Sequence, residues 1–167
     1  MSATSSQASR HAAWQWSLWA ARATTAAGLA IDAYVHLDLA SLYAEGGGGI
    51  NEGVLFGVEA AAALLAAAAV IAFGRRACYL AGVLVGGSAL AVVLVSRYVD
   101  LGQIGPFPDL YDPVWFPEKL LAAFAEGAAC AAALAGVIMT GLTAKARPRA
   151  GRRSRAGLPA VTGRNPR

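Results

Sequence analysis

The sequence predicts an all-α protein, a bundle of four transmembrane helices, and three observations carry that reading. The chain is 57% hydrophobic and only 14% charged, with a mean hydropathy of +0.50, whereas soluble domains are about a quarter charged. Its apolar residues gather into four stretches near the length of about 20 residues that crosses a hydrocarbon core of about 30 Å. Within them Ala, Leu, Val and Gly run on without the alternation of a membrane β-barrel strand, which leaves helices as the spanning element that satisfies its own backbone hydrogen bonds in lipid.

The four stretches cover about 14–39, 50–73, 77–96 and 117–142, with 1–13 as an N-terminal segment and 143–167 as a tail. "GRRA" (74–77) is a tight polar turn between the second and third, and "RYVDLGQIGPFPDLYDPVWFPEK" (97–119) is a long connection before the fourth. Pro117 heads the fourth stretch, where the first helical turn needs no N–H from it.

Positive charge sets the orientation, because Lys and Arg near short loops stay on the cytoplasmic side. Arg10, Arg75, Arg76, Lys145 and the arginines of the tail lie at the N-terminus, the second connection and the C-terminus, and Arg22 sits near the same end of helix one, able to snorkel. Arg97 and Lys119 are on the other side, where every acidic residue also falls. Both termini are therefore expected in the cytoplasm, in a multi-pass protein of the cell membrane. Trp14, Trp16 and Trp19 mark the inner interface. A cleaved signal peptide is disfavoured because Arg22 interrupts the apolar run it would need.

The partners expected from this pattern are lipid. The Arg-, Pro- and Gly-rich tail has too little apolar content to fold and is expected to lie against anionic headgroups. It reads as a topology signal, and no nucleic acid is expected. Cys78 and Cys130 fall at different depths and read as reduced packing residues, and no CxxC or Cys/His spacing exists. The uncharged third stretch carries "GVLVG" from Gly82 to Gly86, a GxxxG pattern that suits close helix packing within the chain.

Both outer connections are unusual. The first holds four consecutive glycines in an acidic setting, without the GxxxxGK[ST] arrangement of a phosphate loop. In the second, Pro106, Pro108, Pro113 and Pro117 interleave with Phe107, Tyr111, Trp115 and Phe116, which suits an ordered cap, either an interfacial anchor or a lid over a binding site.

Ionisable groups inside the apolar stretches supply the candidate site. At about 100° and about 1.5 Å per residue, Thr25, Gly28, Leu29, Asp32, His36 and Tyr43 share one face of helix one, while Asp38 points elsewhere. Glu52, Phe56, Glu59, Ala63 and Val70 share a face of helix two, and Lys119, Ala123, Glu126, Cys130 and Ala133 a face of helix four. Asp32, Glu59 and Glu126 each lie about eight residues, or about 12 Å, inward of the outer boundary, so three carboxylates are expected in one layer. Charges at mid-bilayer cost roughly 2.5 to 3.5 kcal/mol each. Arg97, Lys119 and His36 are the groups placed to offset them, in a polar network that takes in Glu52 and Glu118; protonation of one carboxyl is the other route.

Asp32, His36, Glu59 and Glu126 are thus the candidate metal ligands, with Asp32 and His36 an i, i+4 pair on one helix face. HExxH is absent, His36 is the one histidine inside the bundle, and no catalytic arrangement stands out.

"VHLDLASLYAEGGGGINEGVLF" and "SRYVDLGQIGPFPDLYDPVWFPEKLLAAFAE" resemble small four-helix integral membrane proteins of actinobacteria, over about residues 28–135. The resemblance implies the topology and no reaction, substrate or cofactor. The leading expectation is a non-enzymatic membrane component that handles a proton or cation in an outward-opening acidic and His-containing pocket, or serves as an accessory subunit to a membrane-protein partner. A structural or partner-binding protein with a register-fixing network is the alternative, and a membrane oxidoreductase or hydrolase comes third.

Overall fold

A computed structural model describes residues 2–43 and 50–146, which form four helices: α1 Ser2–Leu42, α2 Glu52–Phe73, α3 Arg76–Tyr98 and α4 Pro117–Ala146. Among the described residues, the β structure is one isolated bridge between Ile104 and Phe107. The four-glycine loop and the tail from 147 onward lie outside the described residues. The helices form a ring in chain order, with α1 packed on α2 and α4, α3 closing against α4 and α2, and α1 and α3 meeting only across the diagonal.

Local sequence explains the ends. The Asn51 side chain accepts the Val54 amide at 2.8 Å and caps α2. Gly74 ends α2 in the left-handed region at φ 54° and donates to the Val70 carbonyl. Pro117 opens α4 as its position predicts. The first helix is longer than the apolar stretch implies: α1 starts at Ser2, since no Gly or Pro precedes Gly28 to stop it.

Small residues fill the interior and large apolar ones cover the outside. Ala60, Ala63, Ala129 and Ala133 are fully buried, while Leu65, Leu84 and Phe124 are 73%, 70% and 75% exposed. That inversion of a soluble core fits a surface turned to lipid, where close backbone approach, not apolar burial, drives helix association. Gly28 shows how close: a Cβ there would stand 2.7 Å from the Ala125 carbonyl oxygen and 2.9 Å from the Ala129 Cβ. On α3, Gly82 faces Thr25 and Ala133, and Gly86 faces the backbone of Glu126 and Cys130, so the GVLVG pattern packs within the chain. Cys78 and Cys130 are both free thiols.

Three helices are long and apolar enough to cross a membrane: α2, α3 and Pro117–Thr143 of α4. Among the described residues the first helix, expected as a fourth span, is not one of them: its apolar stretch is interrupted by Arg22, Asp32, His36 and Asp38. Asp32 and His36 are turned into the bundle, and between 23 and 37 the outward face carries Ala, Thr, Ile31, Tyr34 and Leu37 without a charge.

The α3–α4 connection is tied down as expected of a cap. Asp100, Asp109 and Asp112 each accept the amide two residues on, from Gly102, Tyr111 and Val114. Asp112 also donates its own amide to the Ser96 carbonyl at 2.9 Å.

Candidate functional site

Helical periodicity places Thr25, Leu29, Asp32 and His36 along the buried face of α1, and Glu126 on the buried face of α4. Asp32 and Glu126 are 0% exposed and His36 is 7% exposed. One candidate ligand atom of each lies within 4.8 Å of the others. The Gly28–Ala125/Ala129 approach one turn below is what lets α1 and α4 bring these side chains so near.

A helical side chain leans toward the N-terminus, so the His36 imidazole reaches back to Asp32. Its Nδ1 is 3.0 Å from the Asp32 carbonyl oxygen and 2.8 Å from the carboxylate Oδ1. The Asp32 and Glu126 carboxyl oxygens are all shielded from solvent, and the 2.8 Å approach of His36 to Asp32 is the ion pair of the set. When Nδ1 donates to the backbone carbonyl, Nε2 keeps the ring's lone pair. Phe56 stacks edge-on against the imidazole at 5.5 Å and Tyr43 against Phe56 at 5.5 Å. Beyond them, Phe56 and Phe116 pack on Val35, Leu39 and Ala122 and cover that end of the bundle.

Glu59 stands apart from the three-residue group. It is half-buried, its Oε1 is shielded and unpartnered, and the charges of Asp32 and His36 act on it. The expected layer of three carboxylates is therefore a close Asp32–His36–Glu126 triad with Glu59 nearby.

The expected counter-charges lie elsewhere. Lys119 is buried, but its Nζ turns to the connection and binds the Asp112 carbonyl oxygen at 2.6 Å and Oδ2 at 3.2 Å. Arg97 lies over the Tyr98 and Trp115 rings at 5.1 and 5.9 Å, and its Nε has no hydrogen-bond partner. The aromatics and Asp112 of the connection are nearer to these stems than the acids about two turns below. Glu118 is exposed in the first turn of α4, where its charge suits the helix dipole. Glu52 is half-buried and feels Asp109 and Asp112. Among the described residues, His36 is thus the nearest cationic group to the Asp32 and Glu126 carboxylates.

Arg22 has a role that spacing did not reveal. Its Nε donates to the Val70 carbonyl at 2.8 Å and its second arm to Ile71, so a cation from α1 satisfies the last carbonyls of α2. The signal available was an arginine within an apolar helix. Phe56 had a clearer one, lying between Glu52 and Glu59 on a single stripe of α2.

A surface pocket of about 330 Å³ opens between the far end of α3 and the connection, walled by Val92, Val95, Val99, Ile104 and Phe107 and touching none of the triad. No family model, curated protein or solved structure matches this chain, so the resemblance to actinobacterial four-helix proteins lends no residue a role.

Proposed function

We propose that this protein is a four-span membrane component that binds a divalent transition-metal cation at Asp32, His36 and Glu126. One observation carries the reading: three buried ligand-type groups, two of them fully buried carboxyls, converge within 4.8 Å. Two adjacent carboxylates in a low-dielectric interior cost several kcal/mol per ion unless their charge is matched; Lys119 is bound to Asp112, and Arg97 lies over the Tyr98 and Trp115 rings. A divalent cation with a neutral imidazole brings the set to zero net charge. Imidazole with carboxylate suits zinc and its first-row neighbours, whereas Ca²⁺ prefers six to eight oxygens.

The inward-turned Asp32 and His36 of α1, and an outward face without charge between 23 and 37, support α1 as the fourth span. The separation of acidic and basic residues to opposite ends supports both termini inside a cell membrane, with the tail from 147 onward against anionic headgroups. The position of the triad in packed interior, away from the surface pocket, favours a holding or accessory role beside a membrane-protein partner over an oxidoreductase or hydrolase. A proton shared by Asp32 and Glu126 is the second way to neutralise the pair, and then the network fixes helix register and binds no ion.

The two part on metal dependence. Detergent-purified protein, stripped with chelator and titrated with Zn²⁺, Mn²⁺, Mg²⁺ and Ca²⁺, is expected to retain about one transition ion and to be stabilised by about 2.7 kcal/mol at a hundredfold excess over Kd. His36→Ala and Glu126→Gln should abolish retention. Stability indifferent to all four ions would leave the shared proton as the reading that stands.

A further inference from the structure

A buried triad needs a way in, and the acidic residues mark one. Among the described residues, every aspartate and glutamate belongs to the half of the bundle that holds His36. Of the acids outside the triad, Glu52 and Glu59 occupy one stripe of α2, about 10 Å apart along the axis at about 1.5 Å per residue. Glu52 is half-buried in the first turn of α2, where Asp112 and Asp109 add negative field. Glu59 is half-buried one step deeper, with Oε1 shielded and unpartnered, and it feels both Asp32 and His36. The triad beyond it has two fully buried carboxylates, all of whose oxygens are shielded from solvent. Phe56 lies between Glu52 and Glu59 on the stripe, with its ring against the His36 imidazole.

We infer that Glu59 is a transfer ligand: it takes a divalent cation from the Glu52 mouth and passes it to Asp32, His36 and Glu126. This rests on the triad being a metal site. A carboxylate on the path replaces part of the ion's hydration during the crossing, so it lowers the barrier between the two ends. It leaves the energies of the ends nearly unchanged, and by microscopic reversibility it speeds entry and exit alike. A fourth permanent ligand would instead slow exit only.

The test is stopped-flow exchange of Zn²⁺ alone with the stripped full-length protein in detergent, read through competition with a chelating dye. Glu59→Gln is expected to slow association and dissociation together by about tenfold, with Kd held within about threefold. Glu52→Gln should slow association less and reduce its dependence on ionic strength. Glu59→Asp should recover part of the rate, and it and Glu52→Gln carry the test if Glu59→Gln loses its helical circular dichroism. Unchanged rates in the Glu52 and Glu59 variants would overturn the route while leaving the triad standing. So would a Glu59→Gln Kd weakened as far as that of Glu126→Gln, which would make Glu59 a ligand. Wild-type protein that takes up no Zn²⁺ would overturn the triad and the route together.

Discussion

Glu126 is the residue whose setting is hardest to reconcile with a purely structural role. Both its oxygens are buried, and its nearest polar neighbours are the equally buried Asp32 carboxyl and the His36 ring that pairs with it. Removing its charge should therefore relieve the metal-free protein. Glu126→Gln, close in shape, is expected to match or exceed the stripped wild type by up to about 2 kcal/mol in SDS unfolding, while losing the stabilisation by Zn²⁺. A loss of more than about 1 kcal/mol without metal would mean that the charge is held by partners. His36 was legible in the sequence as the one bundle histidine one turn from Asp32, because i, i+4 spacing dictates contact on any helix. The departure of Lys119 and Arg97 was not legible: a flexible stem of several carbons can reach up or down its helix, and the position of Trp115 and Asp112 decided which.

At the scale of the element, the crossing of α1 and α4 determines whether a site exists. Gly28 meets Ala125 and Ala129 so closely that a single methyl cannot be placed without moving a helix backbone. Gly28→Ala should cost about 1–3 kcal/mol by overpacking, and because it parts the helices that carry Asp32 and Glu126 it should also weaken Zn²⁺ binding. The control is Gly57→Ala on α2, where nothing lies within 4 Å of the added carbon. That change should be neutral or stabilising by up to about 1 kcal/mol from helix propensity. Equal losses in the two variants would remove the close crossing as the cause. Small residues on the α1, α2 and α4 stripes announced close packing in the sequence. They did not say which of those stripes would touch, since Gly28 could have been set against α2 as readily as against α4.

Among the described residues the bundle is polarised along its axis, with its acids at one end and most of its cations at the other. If positive charge holds the basic end inside, a cysteine introduced by Asp109→Cys in a Cys78→Ala, Cys130→Ala background should react with a membrane-impermeant maleimide on intact cells. One introduced by Arg75→Cys should react only after permeabilisation, and the reverse pattern would invert the topology and turn the acidic mouth to the cytoplasm. Arg22 gives the basic end a structural task as well, because it completes the last turn of α2 from the neighbouring helix.

What the sequence by itself determined is whatever depends on one segment at a time. Composition and run length yield four helices, expected as four spans, of which three are long and apolar enough to cross a membrane; periodicity yields the inward faces, and Pro117 the start of α4. The extension of α1 to Ser2 escaped the apolar-run argument because a helix continues wherever nothing breaks it, with or without lipid. Only the tertiary structure decided which ionisable groups meet: Asp32 and His36 with Glu126, Glu59 a step away, Lys119 and Arg97 turned to the connection. The reason is physical. Periodicity places a side chain on a face and at a depth to within about a turn, whereas contact between helices depends on interaxial distances of about 8–10 Å and on shifts of an ångström or two, and those follow from packing such as that of Gly28 on Ala125 and Ala129.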